Sequence, residues 1–317
     1  MRHARLKPVG VDTFMHVCNR IAGCTGEFPF GAAEKEEFIR RLTRLTTLYV
    51  IEVVAFVGMG NHFHLLVRVP AEPPSAAEAA ARYAGYYPKR PKLEPAGKAC
   101  ADLALKLRDL SAFMAALEQP YTRWFNRTRP ARRRGHLWAE RFKSTVLESG
   151  LAVWDCWKYI EMNPVRAHLV RTPADYRFGS FGRWCARGRH PFSAALSAHL
   201  LPTLQGLLPV HSLAEVKVEL QKEFARVAAT EARHSPEQIE KAIAVAARKE
   251  PFSTRLDRRV RYWADGLVIG SDLFVRNTLA KTRGRLYMTR RRLVRANSTG
   301  PEPQPLFCFR QLRVLLE

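Results

Sequence analysis

Apolar and polar residues alternate most regularly between positions 48 and 70. In Asn61-His62-Phe63-His64-Leu65-Leu66-Val67-Arg68-Val69, the two-residue period of a strand sends Phe63, Leu65, Val67 and Val69 to one face. His62, His64 and Arg68 go to the other, with Leu66 among them. Tyr49–Val57 is rich in β-branched residues and reads as a second strand. The turn Gly58-Met59-Gly60-Asn61 joins the two as an antiparallel hairpin. Upstream, residues 11–20 read as a first strand and residues 33–47 as a helix, with Phe38, Leu42 and Leu45 at helical spacing. Glu34, Glu36 and Glu37 sit where the helix dipole favours acids. Strand, helix, strand, strand is the beginning of a split βαβ unit. The expected class is therefore α+β: a ferredoxin-like antiparallel sheet with helices on one face.

The pattern then breaks. Pro73-Pro74, Tyr86-Tyr87-Pro88, Pro91 and Pro95-Ala-Gly97 interrupt residues 71–99, which read as a linker or mobile insertion. A helix returns from Asp102 to about Glu118 on the stripe Leu103, Leu107, Leu110, Met114 and Leu117, with Pro120 ending or kinking it. Residues 142–148 fit another strand. Gly150 starts a helix whose buried stripe is Val153, Trp157 and Ile160. Tyr159 and Asn163, four apart, stack on a flank of that helix. Pro164 is expected to end it, leaving Asn163 among the unpaired carbonyls of the C-terminus, where the potential suits a cation.

After residue 188 the composition shifts to helical segments, so the chain divides into a first domain over 1–188, carrying the 71–99 insertion, and a mainly helical region over 189–317. Ser235-Pro-Glu-Gln238 is a capping box that starts a helix over 236–249. Residues 255–264 and 271–281 form two short helices around the turn Asp265–Gly270, a helix-turn-helix-like arrangement. With Arg290, Arg291 and Arg292 behind it, this region is a candidate accessory DNA-binding module; a helical cap with a solvated basic face is the plainer reading.

Charge sharpens the picture. Among 317 residues, Lys and Arg number 52 against 29 Asp and Glu, a formal net charge of +23 with a pI near 10.4. A polyanion is the expected partner, and nucleic acid is the usual one. Arg127–His136 is a basic loop leading into Leu137–Lys143, and Arg132, Arg133, Arg134, His136, Arg141 and Lys143 are candidate DNA contacts. No run of about eighteen apolar residues is present and Met1–Lys7 lacks a secretory pattern, so no membrane partner and a cytoplasmic, nucleoid-associated location are expected. The six cysteines make no C-x-x-C pair and read as isolated thiols.

Two histidines at i, i+2 on a strand can present their nitrogens to one divalent ion. His16, in the first strand, is a third imidazole of a kind that is more often structural. A metal at His62 and His64 would polarise a phosphoryl oxygen of DNA, and the Tyr159 oxygen would attack phosphorus in line. A free tyrosine has a pKa of about 10, so the site must supply a base or a positive field. Arg68, beside the histidines, is a candidate to steady phosphate charge. Trp124, Trp138 and Trp154 can stack on bases but read better as core.

Four segments together resemble one family. Phe56–Val67 resembles the strand and histidine–hydrophobic–histidine motif of the HUH single-tyrosine transposases, and Gly135–Ser144 the segment before their last strand. Tyr159–Val170 closely resembles their catalytic-tyrosine helix, and Tyr176–Ser180 the closing segment. The branch most resembled is the REP-associated tyrosine transposases, over roughly residues 10–185. The resemblance implies that His62 and His64 are metal ligands, Asn163 the third ligand and Tyr159 the nucleophile. It implies Mg2+ or Mn2+ as the metal, and single-stranded DNA beside imperfect hairpins as the substrate, cut to a 5′-phosphotyrosine and a free 3′-hydroxyl. A homodimer is the protein assembly considered. Rival readings are a hairpin-binding regulator that no longer cuts, an HUH replication initiator or relaxase, and a ferredoxin-like RNA-binding protein. The last lacks its aromatic platform if Phe63 faces the core.

Overall fold

The structure, a computed structural model, describes residues 5–8, 10–23, 28–129, 133–232, 263, 266–283, 294–295 and 306–310. Arg132, Arg290, Arg291, Arg292, the 236–249 helix and all of 255–264 except Trp263 lie outside these residues.

The first half follows the split βαβ order. Strand β1 (Thr13–Arg20) is followed by helix α1 (Ala32–Leu45) and the hairpin β2 (Glu52–Gly58) and β3 (His62–Val69). Helices α2 (Ala76–Tyr86), α3 (Lys98–Arg108) and α4 (Leu110–Arg127) precede strand β4 (Lys143–Leu147). The sheet order begins β2-β3-β1-β4, and all three pairings are antiparallel. The chain is α+β, as the pattern predicted.

Two details of that expectation need correction. Helices cover both faces of the sheet. α1 and α4 lie over Val17, Phe63, Leu65 and Val67, whereas α5 (Leu151–Arg166) packs against Phe14 and Leu66 on the opposite side. β1 and β3 are accordingly buried on both faces, including the face that carries the imidazoles. The sheet is also not wholly antiparallel. Past α6 (Ser180–Arg187), the short α7 (Ser193–Ala195) and α8 (Leu201–Gln205), and α9 (Leu213–Ala232), the chain returns as β5 (Gly266–Gly270). β5 pairs parallel with β4, and β6 (Val294–Arg295) and β7 (Phe307–Arg310) extend the sheet to seven strands. Gly266–Gly270, read as the turn of a helix-turn-helix, is therefore a strand, with helix α10 (Asp272–Arg283) behind it. Its Leu-Val-Ile core fits an interior strand better than an exposed turn.

The proline-rich insertion is more ordered than its composition suggests. Ser75 caps α2 by accepting from the Glu78 amide, and Ala79 and Cys100 join the core under α1 and α4. The long helix expected over 102–118 is two helices. Asp109 is extended and caps α4 through the Ala112 amide, after which α4 runs through Pro120 instead of stopping there.

Candidate functional site

α5 begins at Gly150, whose φ of +84° places it in the left-handed region that glycine tolerates. From Ala152 to Pro164 every residue of α5 is buried, because α9 closes over the side turned away from the sheet. Lys158, within that seam, pairs with Asp155 at 2.9 Å and with Glu223 of α9 at 3.0 Å. Tyr159 is thus not on a partly open flank, as its spacing suggested; it is 1% exposed.

The phenol does meet the imidazoles. The Tyr159 ring lies 5.5 Å from that of His64 and 5.9 Å from that of His16, edge-on in both cases. The rings of His62 and His64 are 5.1 Å apart, and the His16 ring lies nearly coplanar with that of His64 at the same centroid distance. β1 and β3 set this arrangement, since Cys18 is opposite His64 and Arg20 opposite His62 in the antiparallel register. His62, at the partly exposed start of β3, hydrogen-bonds through Nδ1 with Asn61 Oδ1 at 2.7 Å. Burial lowers His16 and His62 to about 4, and burial with help from both neighbours holds His64 well below the ordinary imidazole range.

Two atoms in this cluster have no hydrogen-bond partner: His64 Nε2 and Tyr159 Oη. A buried polar atom left unpaired typically costs about 1–3 kcal/mol, so both atoms gain if a ligand reaches them. Burial raises the Tyr159 phenol above its ordinary value, and Arg166 opposes this. The Arg166 guanidinium lies 5.7 Å from the centre of the tyrosine ring. Its place in the Tyr159–Val170 segment, seven residues after Tyr159 and two turns along the same helix face, is the signal the sequence offers for it.

Asn163 explains how α5 continues past Pro164 to Arg166. Proline has no N–H for the Ile160 carbonyl, and the Asn163 amide nitrogen donates there at 3.3 Å and to the Tyr159 carbonyl at 2.8 Å. The Asn163 side chain also opposes the burial that raises the Tyr159 phenol.

The remaining candidates are placed elsewhere. Arg68 is clamped between Asp12 at 2.6 Å and Glu52 at 3.0 Å, at the far end of β3 from His62. Its charge is already matched by two carboxylates. Arg133 holds its own loop, donating to the His136 carbonyl and to Asn126. Arg134, His136, Arg141 and Lys143 are exposed along the strand-entry loop. Arg20, also exposed, lies opposite His62 and was missed because a strand-end arginine is unremarkable in sequence. Trp154 is core on the α5 side of the sheet, and Trp124 and Trp138 pack against the core on the α1 and α4 side, Trp138 lying edge-on to Phe30 and Phe63.

Trp263 was also missed. Its ring stacks on Tyr159, with centroids 5.5 Å apart at 26°, and lies edge-on to His16. Its carbonyl accepts from His16 Nδ1 at 2.9 Å and from Thr145 Oγ1 at 3.0 Å. The site is gathered but covered. His16, Cys18 and His64 place three potential ligand atoms within 4.8 Å of one another. They do not form a ready chelate, because His16 Nε2 and His64 Nδ1 are hydrogen-bonded to each other at 2.9 Å.

Among the described residues no helix is long and apolar enough to cross a membrane. No protein-family model and no curated protein matches the chain. A solved structure described as a REP-associated tyrosine transposase bound to a REP hairpin is similar to it, at 16% identity and a TM-score of 0.39, over 61% of this chain and 89% of that one. An overlap this loose leaves the chemistry to be decided by the site's own geometry.

Proposed function

We propose that the chain is a metal-dependent endonuclease and strand transferase for single-stranded DNA beside hairpins, with Tyr159 as its nucleophile. The observation that carries this reading is the unpaired Tyr159 Oη in one buried cluster with the unpaired His64 Nε2. Core packing alone would favour phenylalanine and an apolar residue at these positions.

His62, His64 and the Asn163 oxygen would hold the metal. Two imidazoles and one amide oxygen suit Mn2+ better than the all-oxygen preference of Mg2+. When bound, the ion supplies Lewis-acid polarisation of a phosphoryl oxygen. The protein does the rest. Tyr159 Oη bonds to phosphorus, the bond from phosphorus to the 3′-oxygen breaks, and the leaving oxygen takes up a proton as the free 3′-hydroxyl. Arg166 favours the phenolate against the burial that otherwise keeps Tyr159 protonated. Trp263 must leave the face of Tyr159 before a phosphodiester can lie in line. A net charge of +23 supports a DNA backbone as partner.

The test is a hairpin-bearing single-stranded oligonucleotide labelled at its 3′ end, incubated with Mn2+ and resolved under denaturing conditions. A labelled band at the mass of protein plus DNA is expected from the wild type and not from Tyr159→Phe. If Tyr159→Phe forms the band equally well, another group is the nucleophile. If neither forms it while hairpin DNA is still bound, the chain is a binder that does not cut.

A further inference from the structure

The cluster contains one group that the reading above leaves without a role. His16 is 1% exposed and has both ring nitrogens engaged, one to a carbonyl and one to His64. The direction of these bonds follows from chemistry alone. The Trp263 carbonyl can only accept, so His16 Nδ1 carries the hydrogen. His16 is 1% exposed and, among the described residues, has no carboxylate partner, so it sits there as the neutral imidazole. Its Nε2 is therefore a lone pair, and the His64 Nδ1 that meets it at 2.9 Å must be the donor. His64, 3% exposed and likewise without a carboxylate partner among the described residues, is neutral for the same reason. Its remaining nitrogen, Nε2, is left unprotonated, and it is the atom with no partner.

We propose that His16 is a positioning residue which, anchored on the Trp263 carbonyl, locks His64 in the Nδ1–H form and so aims a bare Nε2 lone pair into the Tyr159 site. The bond chain runs from the carbonyl of 263 through two imidazoles without a break. The two rings lie within 15° of one plane with centroids 5.1 Å apart, so the hydrogen bond between them runs in the plane of both and fixes the orientation as well as the tautomer. Thr145, opposite His16 in the β1–β4 register, holds the same carbonyl in place. The proposal excludes His16 as a ligand, since its only lone pair is occupied by His64. It rests on the metal-site reading only for the use made of the nitrogen, because metal ligands commonly donate their other ring N–H to a group that orients them.

The tautomer is directly measurable. Long-range proton–nitrogen NMR correlation on the full chain, without metal at neutral pH, should show both His16 and His64 as Nδ1–H imidazoles. In His16→Gln, whose amide oxygen can accept in place of Nε2, His64 should keep that form. In His16→Leu it should lose it, in whole or in large part. Mn2+ titration followed by paramagnetic resonance should give affinity within about threefold of wild type for His16→Gln and about tenfold weaker or worse for His16→Leu. An Nε2–H His64 in the wild type overturns the proposal even if His16→Leu does not fold. So does a folded His16→Leu with an unchanged His64 tautomer. Loss of the covalent adduct with the wild-type tautomer intact would sink the nuclease reading alone.

Discussion

The indole of Trp263 lies face to face with the phenol ring of Tyr159, 5.5 Å between centroids. These residues are separated by more than a hundred positions, and the contact brings a residue from beyond α9 onto the site built by β1, β3 and α5. Because Trp263 contributes its ring to Tyr159 and its carbonyl to His16, the two roles are separable. Trp263→Ala removes only the ring. It should speed adduct formation several-fold while leaving the His64 tautomer unchanged, as single-turnover kinetics and NMR would record. A slower reaction with unaltered DNA binding would mean that the indole assists the chemistry instead of covering it.

Arg166 is expected to matter to the chemical step and little to binding. Its guanidinium favours the Tyr159 phenolate, so Arg166→Ala should lower single-turnover adduct formation by about tenfold or more, on the order of one pKa unit of lost phenolate stabilisation. Hairpin affinity should change far less. A parallel loss of affinity and rate would reassign Arg166 to phosphate binding.

Arg20 is the complementary case. It is exposed beside His62, so it is placed for a phosphate contact. Arg20→Ala should weaken hairpin binding across sequences and reduce the slope of log affinity against log salt by about one. An unchanged slope would remove Arg20 from the interface.

Glu161 gives the fold a pH dependence of definite sign. It is wholly buried in α5, accepts from the Ser180 hydroxyl and from the Phe181 amide at 3.1 Å, and is held up at about 7 by burial. A carboxyl whose folded pKa exceeds its unfolded value stabilises the fold fully below the unfolded value, near 4.5, and loses that contribution as pH rises through about 7. Glu161→Gln keeps the acceptor and removes the ionisation. The stability of wild type relative to this variant should fall by on the order of 2 kcal/mol from about pH 5 to about pH 8. Denaturant melts at the two pH values measure it; parallel curves would show that Glu161 is not titrating in this range.

Local patterns carried the parts of this protein that depend on neighbours in sequence. The hairpin, the imidazole pair and the tyrosine helix were legible because strand and helix periods fix which side chains share a face. Where the reading failed, a distant partner decided. Tyr159 looks like a flank residue until Trp263 stacks on its ring. Gly266–Gly270 looks like a turn until β4 offers an edge. Pro164, expected to end its helix, sits inside it, because the Asn163 amide supplies the bond that proline cannot make.

The account turns on which atom of the protein takes the phosphate. Tandem mass spectrometry of the protease-digested adduct would locate it. The mass of the nucleotide remnant should fall on Tyr159, within the α5 peptide. A remnant on Tyr176, on a histidine or on any residue outside that peptide would contradict the assignment of the buried phenol as the nucleophile.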